Sequence, residues 1–358
     1  MTGTPQSFAD PPFHGVDARA GEILSEVLRT VRLTGAVFLN ARFTAPFGLI
    51  SPKRYDPGMP MARLRHVSVF HLISAGSCML ETASGERRQV SAGDLVLLPF
   101  ANKHKFWSGE TAVRDFTPNL VQPGPLDGMW NLDYGGAGAE TRMVCGFVES
   151  SELLVTPLFR SLPEMLIERA GDEKLGALIA STVREVVGLV EAATPGTQVM
   201  LGRMMEILFV EVLRRHAGRL PADSKGWLAA VNDPVVGRAL ELVHKDPARK
   251  WSSVELAREA GASRTVLAER FNLLLGRPPI DYVTSWRIQL AADRLRNGRD
   301  TIGTIAATVG YESEAAYNRA FKRVIGMSPG RWREGGGDSP ELMPIQLNRP
   351  LVSLPLRD

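Results

Sequence analysis

DTIGTIAATVGYESEAAYNRAFKRVIG, residues 300–326, decides how the C-terminal third of this chain folds. Ile302, Ile305 and Ala306, and then Ala316, Tyr317 and Phe321, recur at three- and four-residue steps, the spacing of two amphipathic helices that bury against each other. Gly310 supplies a residue free to turn left-handed where the first helix stops, and Ser313 offers a hydroxyl to cap the second. The same grammar occurs in SSVELAREAGASRTVLAERFNLLLG, residues 252–276. There Val254, Leu256 and Ala257 would bury against Val266, Leu267 and Phe271, with Gly261 at the turn and Ser263 as cap. Ala257 and Ala306 suit close helix crossings, so both stretches read as helix-turn-helix units.

The two caps lie 50 residues apart. Between them, Ile280 to Asn297 has the pattern of one helix, about 27 Å long at the usual rise. Pro278 and Pro279 mark its start, where a missing amide costs least. Trp286, Ile288, Leu290, Ala291 and Leu295 give it apolar positions with which to tie both units to a rod comparable to one DNA turn. From Asp233 to Glu334 the chain carries 17 Lys/Arg against 12 Asp/Glu, whereas the whole chain is only +3. The basic excess sits where a phosphate backbone would be approached.

Exposed residues at the start of a recognition helix reach base edges, and cations further along grip phosphates. In the second unit Ser313, Glu314, Ala315 and Asn318 hold the first position, and Arg319, Lys322 and Arg323 the second. Asn318 suits adenine, and Glu314 suits the cytosine amino group. In the first unit the equivalents are Ser263, Arg264, Thr265 and Ala268, with Arg270 alongside. Residues 233–333, above all IAATVGYESEAAYNRAFKRVIGMSPGRWR from Ile305 to Arg333, resemble the DNA-binding domain of the AraC/XylS family of bacterial transcriptional regulators. The resemblance implies a seven-helix domain whose two units enter adjacent major grooves. Phe271, Phe321 and Pro329 match recurrent positions of that family. Glu269 departs from it, standing where a basic residue is common, and would either accept from a cytosine or pair with Arg270.

Thr30 to Val148 reads as many short strands with Gly and Pro turns, a pattern of sandwiches and barrels. Thr117 to Gly138, rich in Gly and Pro, reads as a long loop. GDLVLLPFANKHKF, residues 93–106, is similar to the second motif of cupins, whose histidine commonly binds metal. Together with APFGL near Pro46 and WLAAVNDP from Trp227, it likens the chain to a branch of the same family with an N-terminal cupin-like sensor. The first cupin motif, a His-x-His pair with a carboxylate, is missing, which argues against a cupin metalloenzyme with an accessory DNA-binding domain. Strand alternation turns His71 and the usual carboxylate position, Val69, to one face.

The two cysteines are too few for a disulfide framework and fit a reducing compartment. His71, Cys78, His104 and Cys145 would compose a tetrahedral Zn2+ set if the barrel closes on them. Buried core residues and a redox-responsive Cys78–Cys145 pair are the other readings. A small-molecule effector pocket would be lined by Phe70, His71, Met79, His104, Phe106 and Trp107.

The expected architecture is α+β. It comprises a cupin-like β-barrel sensor domain with flanking helices at 1–163 and a helical segment at 164–216, which packs on the sensor or pairs two chains. A linker at 217–232, the double helix-turn-helix domain at 233–334 and a tail at 335–358 complete the chain. Met200, Met204, Ile207, Leu208 and Glu211 or Val212 form one stripe of the helical segment. No leader or membrane-length apolar run is evident, so a cytoplasmic protein is expected. Its partners would be double-stranded DNA, a small effector, a second copy of the chain and RNA polymerase.

Overall fold

The computed structural model describes residues 33–52, 64, 66–150, 162–169, 176–194, 196–221 and 223–334. The expected tail at 335–358 lies outside them. The chain divides into two compact units: one runs through His216, with Gln289–Asp300 grouped with it, and the other holds Ala217–Ile288 and the residues from Thr301.

In the first unit, β1 (Leu33–Thr44), β3 (His66–Ala75), β6 (Leu95–Leu98), β9 (Val121–Pro123), β10 (Trp130–Gly135), β11 (Glu140–Ser150) and β12 (Leu166–Glu168) form a sheet ordered β12-β6-β3-β11-β1-β10-β9. The second sheet has order β5-β4-β7-β2-β8, from β2 (Phe47–Ile50), β4 (Ser77–Glu81), β5 (Arg87–Ser91), β7 (Lys105–Ser108) and β8 (Arg114–Asp115). Both sheets contribute to one core, Phe38, Phe43, Val69, Met143 and Phe147 from the first and Phe47, Leu49, Leu80, Val90 and Phe106 from the second. The stretch expected as a loop, Thr117 to Gly138, instead contains β9 and β10. β10 pairs in parallel with β1, so its glycines serve the turns while Trp130, Asn131 and Leu132 complete the ladder.

Two helices come next, α1 (Gly176–Ala192) and α2 (Thr197–Gly218). α2 lies close against the outer face of the first sheet: a Cβ on Gly35 would stand 2.2 Å from the Gly202 carbonyl oxygen. Phe209 of α2 meets Phe70 edge-on at 6.4 Å. The expected α2 stripe therefore splits. Leu208 and Val212 are buried, whereas Met200 and Ile207 are half exposed on another face. Arg215 and Glu168 form a buried ion pair at 3.1 Å.

The second unit begins earlier than expected. Residues assigned to a linker at 217–232 include the end of α2 and α3 (Trp227–Asn232), whose Trp227, Leu228, Ala230 and Val231 are buried. A short apolar segment between Gly226 and Asp233 has a face to bury, which a linker does not. α4 (Pro234–Lys245), α5 (Ser253–Glu259), α6 (Arg264–Leu275), α7 (Pro279–Asn297) as far as Ile288, α8 (Ile302–Thr308), α9 (Glu314–Ile325) and α10 (Pro329–Arg333) complete it. Trp227, His244, Tyr282 and Trp286 share its buried centre. The Tyr282 hydroxyl accepts from Trp227 Nε1 at 2.9 Å and lies 2.9 Å from His244 Nε2, while His244 stacks on Trp286 at 4.1 Å.

Candidate nucleic-acid interface and enclosed cavity

Local chemistry sets the two helix-turn-helix units. Ser252 and Glu255 form a capping box on α5, and Thr301 caps α8. Gly261 (φ +73°) and Gly310 (φ +85°) end those helices left-handed, and the next amides, those of Ala262 and Tyr311, bond back to the Ala257 and Ala306 carbonyls. Ser263 and Ser313 then accept from the amides of Val266 and Ala316, both at 3.2 Å, and start α6 and α9. Leu267, Phe271, Tyr317 and Phe321 are buried. Val254 and Val266, expected in the core of the first unit, are 61% and 40% exposed. Helical spacing identifies a stripe, but its edges go to whichever side the crossing angle leaves open.

Arg264, Thr265, Glu314, Ala315, Arg319, Lys322 and Arg323 are exposed, and Ala268 is half-buried. Among the described residues, Arg264, Arg319, Lys322 and Arg323 have no carboxylate within ion-pair distance. Two expected contacts change. Arg270 is held by Asp233, with Nε 2.9 Å from Oδ2, and does not pair with Glu269. Asp233 also caps α4 through the Val235 and Val236 amides, so Arg270 is tied to the start of that helix. Asn318 is half-buried, and its Oδ1 is enclosed without a hydrogen-bond partner. A side-chain amide with one end enclosed cannot present both ends to an adenine edge without changing rotamer.

Arg287 of α7 fastens the second unit's turn. It donates to the carbonyl oxygens of Pro247 (2.6 Å), Ala248 (3.3 Å), Arg249 (2.6 Å) and Gly310 (3.3 Å). Its guanidinium lies 5.8 Å from the Tyr311 ring centre. Nothing in the spacing of an arginine on a long helix announces this role, because its acceptors are loop carbonyls.

Between the two sheets lies a cavity of about 70 Å³. Its walls are mainly apolar, with Phe38, Leu49, Phe106, Trp130, Leu132 and Met143 among them, and His71, His104, Cys145 and Ser51 supply polar atoms. His71 and Cys145 face each other across the β3–β11 ladder, and His104 arrives from the segment before β7. Cys145 Sγ is 2.9 Å from His71 Nδ1, and His71 Nε2 is 2.9 Å from His104 Nε2. His104 Nδ1 lies 2.8 Å from the Asn102 carbonyl oxygen and 3.2 Å from Ser51 Oγ. A carbonyl can only accept, so His104 carries its proton on Nδ1. It follows that His71 donates from Nε2 and that the Cys145 thiol donates to His71 Nδ1. Burial and the neighbouring His104 hold His71 well below the ordinary histidine range, and burial lowers His104 to about 4 and raises the Cys145 thiol. The chain of groups is neutral throughout.

The proposed His71–Cys78–His104–Cys145 zinc set does not assemble. The His71 ring stands between Cys145 on one nitrogen and His104 on the other, so the two cannot share an ion with it. Cys78 is buried on β4, opposite Val90, and does not line the cavity. Among the described residues no three His, Cys, Asp or Glu side chains are grouped to hold a metal. Both cysteines are free thiols, so the Cys78–Cys145 pairing is not made. Of the expected effector pocket, His71, His104 and Phe106 line the cavity. Phe70 faces α2, one residue out of phase with His71. Met79 and Trp107 are register partners on the other face of the second sheet, where Lys105 Nζ lies 5.1 Å from the Trp107 ring centre.

A β sandwich with a cavity between its sheets, joined in sequence to paired helix-turn-helix units, defines a class of DNA-binding protein that carries a separate β domain. The cupin family matches residues 22–218, and the helix-turn-helix domain family matches residues 256–335. A putative AraC-like transcription regulator of Streptomyces antibioticus is 48% identical over 277 residues, 74% of this chain and 86% of the relative. One from Streptomyces lividans is 51% identical over 128 residues, 36% of this chain and 42% of the relative. The HTH-type transcriptional regulator AlkR of Acinetobacter baylyi is 28% identical over 74% of this chain and 87% of its own length. The chain belongs to the AraC family, with an N-terminal cupin domain. It is a DNA-binding transcription regulator and not an enzyme. Among the described residues no helix is long and apolar enough to cross a membrane.

Proposed function

We propose that the cupin unit senses a small, largely apolar molecule in the cavity between its sheets and thereby controls how the double helix-turn-helix unit engages DNA. The supporting observation is an apolar wall whose polar side chains Cys145, His71, His104 and Ser51 are bonded among themselves, leaving little to recognise a charged ligand. Its volume suits about five non-hydrogen atoms. In this reading Arg264, Thr265, Ala268, Glu314 and Ala315 face base edges, Arg319, Lys322 and Arg323 take phosphates, and Ser263 and Ser313 hold the helix starts in place. Two chains pair through the exposed side of α2, where Val199, Met200 and Ile207 are open. Contact with RNA polymerase accords with the regulator's role.

The test uses methyl ethyl ketone, which has the right number of atoms. It should raise the melting temperature in proportion to the logarithm of its concentration above Kd, by the equivalent of about 2.7 kcal/mol at a hundredfold excess, and change operator affinity. Leu132→Phe, which fills the cavity, should abolish both responses. A response that survives in Leu132→Phe, or none to any small apolar compound of this size, would refute the reading.

A further inference from the structure

Three features of the cavity wall go beyond passive binding. Cys145 Sγ lies within hydrogen-bond reach of an imidazole nitrogen, at 2.9 Å. The far nitrogen of that imidazole is held by a second histidine, which is itself anchored on the Asn102 carbonyl. Phe106 packs edge-on against both rings, 4.9 Å from His71 and 5.4 Å from His104, which fixes their planes. A nucleophile beside a base, the base oriented by a third group, is the constellation that activates thiols for covalent attack. A thiol kept only for packing requires none of this.

We propose that Cys145, His71 and His104 form a nucleophilic triad that captures small α,β-unsaturated carbonyl compounds covalently in the cavity. This rests on the cavity's role as a sensor pocket and specifies the effector as an electrophile. As the Cys145 sulfur forms a bond to the β-carbon, its proton passes to His71 Nδ1 and the carbon–carbon π pair moves to the enolate. His71 then returns the proton to the α-carbon. The product is a thioether with the carbonyl restored and His71 neutral. Nothing is oxidised or reduced, and no co-reactant or leaving group is involved. His104 is a positioning residue: its Nε2 accepts from His71 Nε2–H, keeping Nδ1 turned to sulfur and able to share the charge that forms transiently. Because burial keeps the resting thiol protonated, charged reagents that need a preformed thiolate find none, and reaction is reserved for a molecule that fits within about 3.5 Å of the sulfur.

Reduced full-length protein is treated with methyl vinyl ketone, and the labelled cysteines are identified by peptide mass spectrometry. Cys78, also buried, serves as the internal comparison. Cys145 should react at least about tenfold faster than Cys78, excess methyl ethyl ketone should slow it, and iodoacetate should leave it unmodified. His71→Gln should slow the labelling of Cys145 about a hundredfold, the low end of general-base contributions. Equal rates at Cys145 and Cys78 in the parent protein would overturn the proposal without any variant, as would an unchanged rate in a folded His71→Gln protein. If methyl ethyl ketone stabilises the protein while methyl vinyl ketone spares Cys145, the triad fails and the cavity reading stands. If neither compound acts on the cavity, both fail.

Discussion

Replacing Arg287 with methionine tests whether the two helix-turn-helix units are held by a specific fastening or by the rod alone. The guanidinium donates four hydrogen bonds to carbonyls, two at 2.6 Å and two at 3.3 Å, spanning Pro247 to Arg249 and Gly310. Hydrogen bonds to a charged donor contribute about 1.5–3 kcal/mol each when short, and the long pair adds less. Against this stands the cost of half-burying a cation, which lowers its pKa. Methionine fills much of the same volume and removes the charge, so the net loss is about 3–5 kcal/mol, most of it carbonyls left without donors. For a unit of this size that is a fall of roughly 10–20 °C in the transition seen by calorimetry of the full chain. Footprinting below that transition should show protection of one groove surviving and its neighbour weakened. Lysine at 287, with a point charge and no planar fork, should recover about half the stability. A methionine variant that melts within about 2 °C of the parent and protects both grooves equally would refute the argument.

Other perturbations separate effects that the fold entangles. Gly310→Ala puts a Cβ 2.4 Å from the Ala248 carbonyl oxygen, whereas Gly261→Ala meets nothing within 4 Å. The first should cost the left-handed penalty of about 1–2 kcal/mol plus overpacking of similar size, the second only the penalty, and equal denaturation midpoints would discount the clash. Lys322→Ala should lower the salt dependence of DNA binding by about one phosphate and weaken operator and random duplex alike; a selective loss on operator would move Lys322 to base reading. His244 has its pKa lowered to about 3 by burial, so the unfolded state binds a proton that the folded state refuses. Stability is complete above about pH 6.5 and falls by about 1.4 kcal/mol per unit as acid is added toward pH 3. His244→Phe should flatten the acid slope of the DNA-binding unit between pH 6 and 4, and an unchanged slope would assign the loss elsewhere.

How much of the molecule is legible in its sequence depends on the range of the forces involved. Caps, turn glycines and the buried aromatic positions of the helix-turn-helix units are local, acting within about four residues, and Ser263, Ser313, Gly261 and Gly310 stand where spacing placed them. The cavity was half legible: alternation puts His71 on the inner face of β3, and the same rule puts Phe70 outside, against α2. That Cys145 would face His71 depends on register between strands 74 residues apart, which no local pattern specifies. The surroundings of Asn318 and Arg270 were not legible for a related reason. Their exposure is decided by neighbours from other helices, Asp233 in the second case. β9 and β10 were missed because turn-rich composition outweighed four or five strand-forming residues.

The repeat in the DNA-binding unit is deeper than a pair of helix-turn-helix motifs, and its extent explains how each recognition helix is aimed. α6 and α9 both end on a left-handed glycine, Gly276 and Gly326, and each is succeeded by a helix with Pro279 or Pro329 in its first turn. Phe271 meets Tyr282 edge-on at 6.2 Å and 71°, and Phe321 meets Trp332 edge-on at 6.3 Å and 68°. Each recognition helix is thus clamped at its buried aromatic to the helix after it, eleven residues on. A left-handed cap fixes the turn and an aromatic edge fixes the angle, so the exposed face has little rotational freedom left. The two clamps differ in the length of the clamping helix. α10, which carries Trp332, is one turn long, whereas beyond Tyr282 the helix continues as the rest of α7 and carries Arg287 to the turn of the other unit. One element, lengthened, becomes both the clamp of the first recognition helix and the fastening of the second unit's turn.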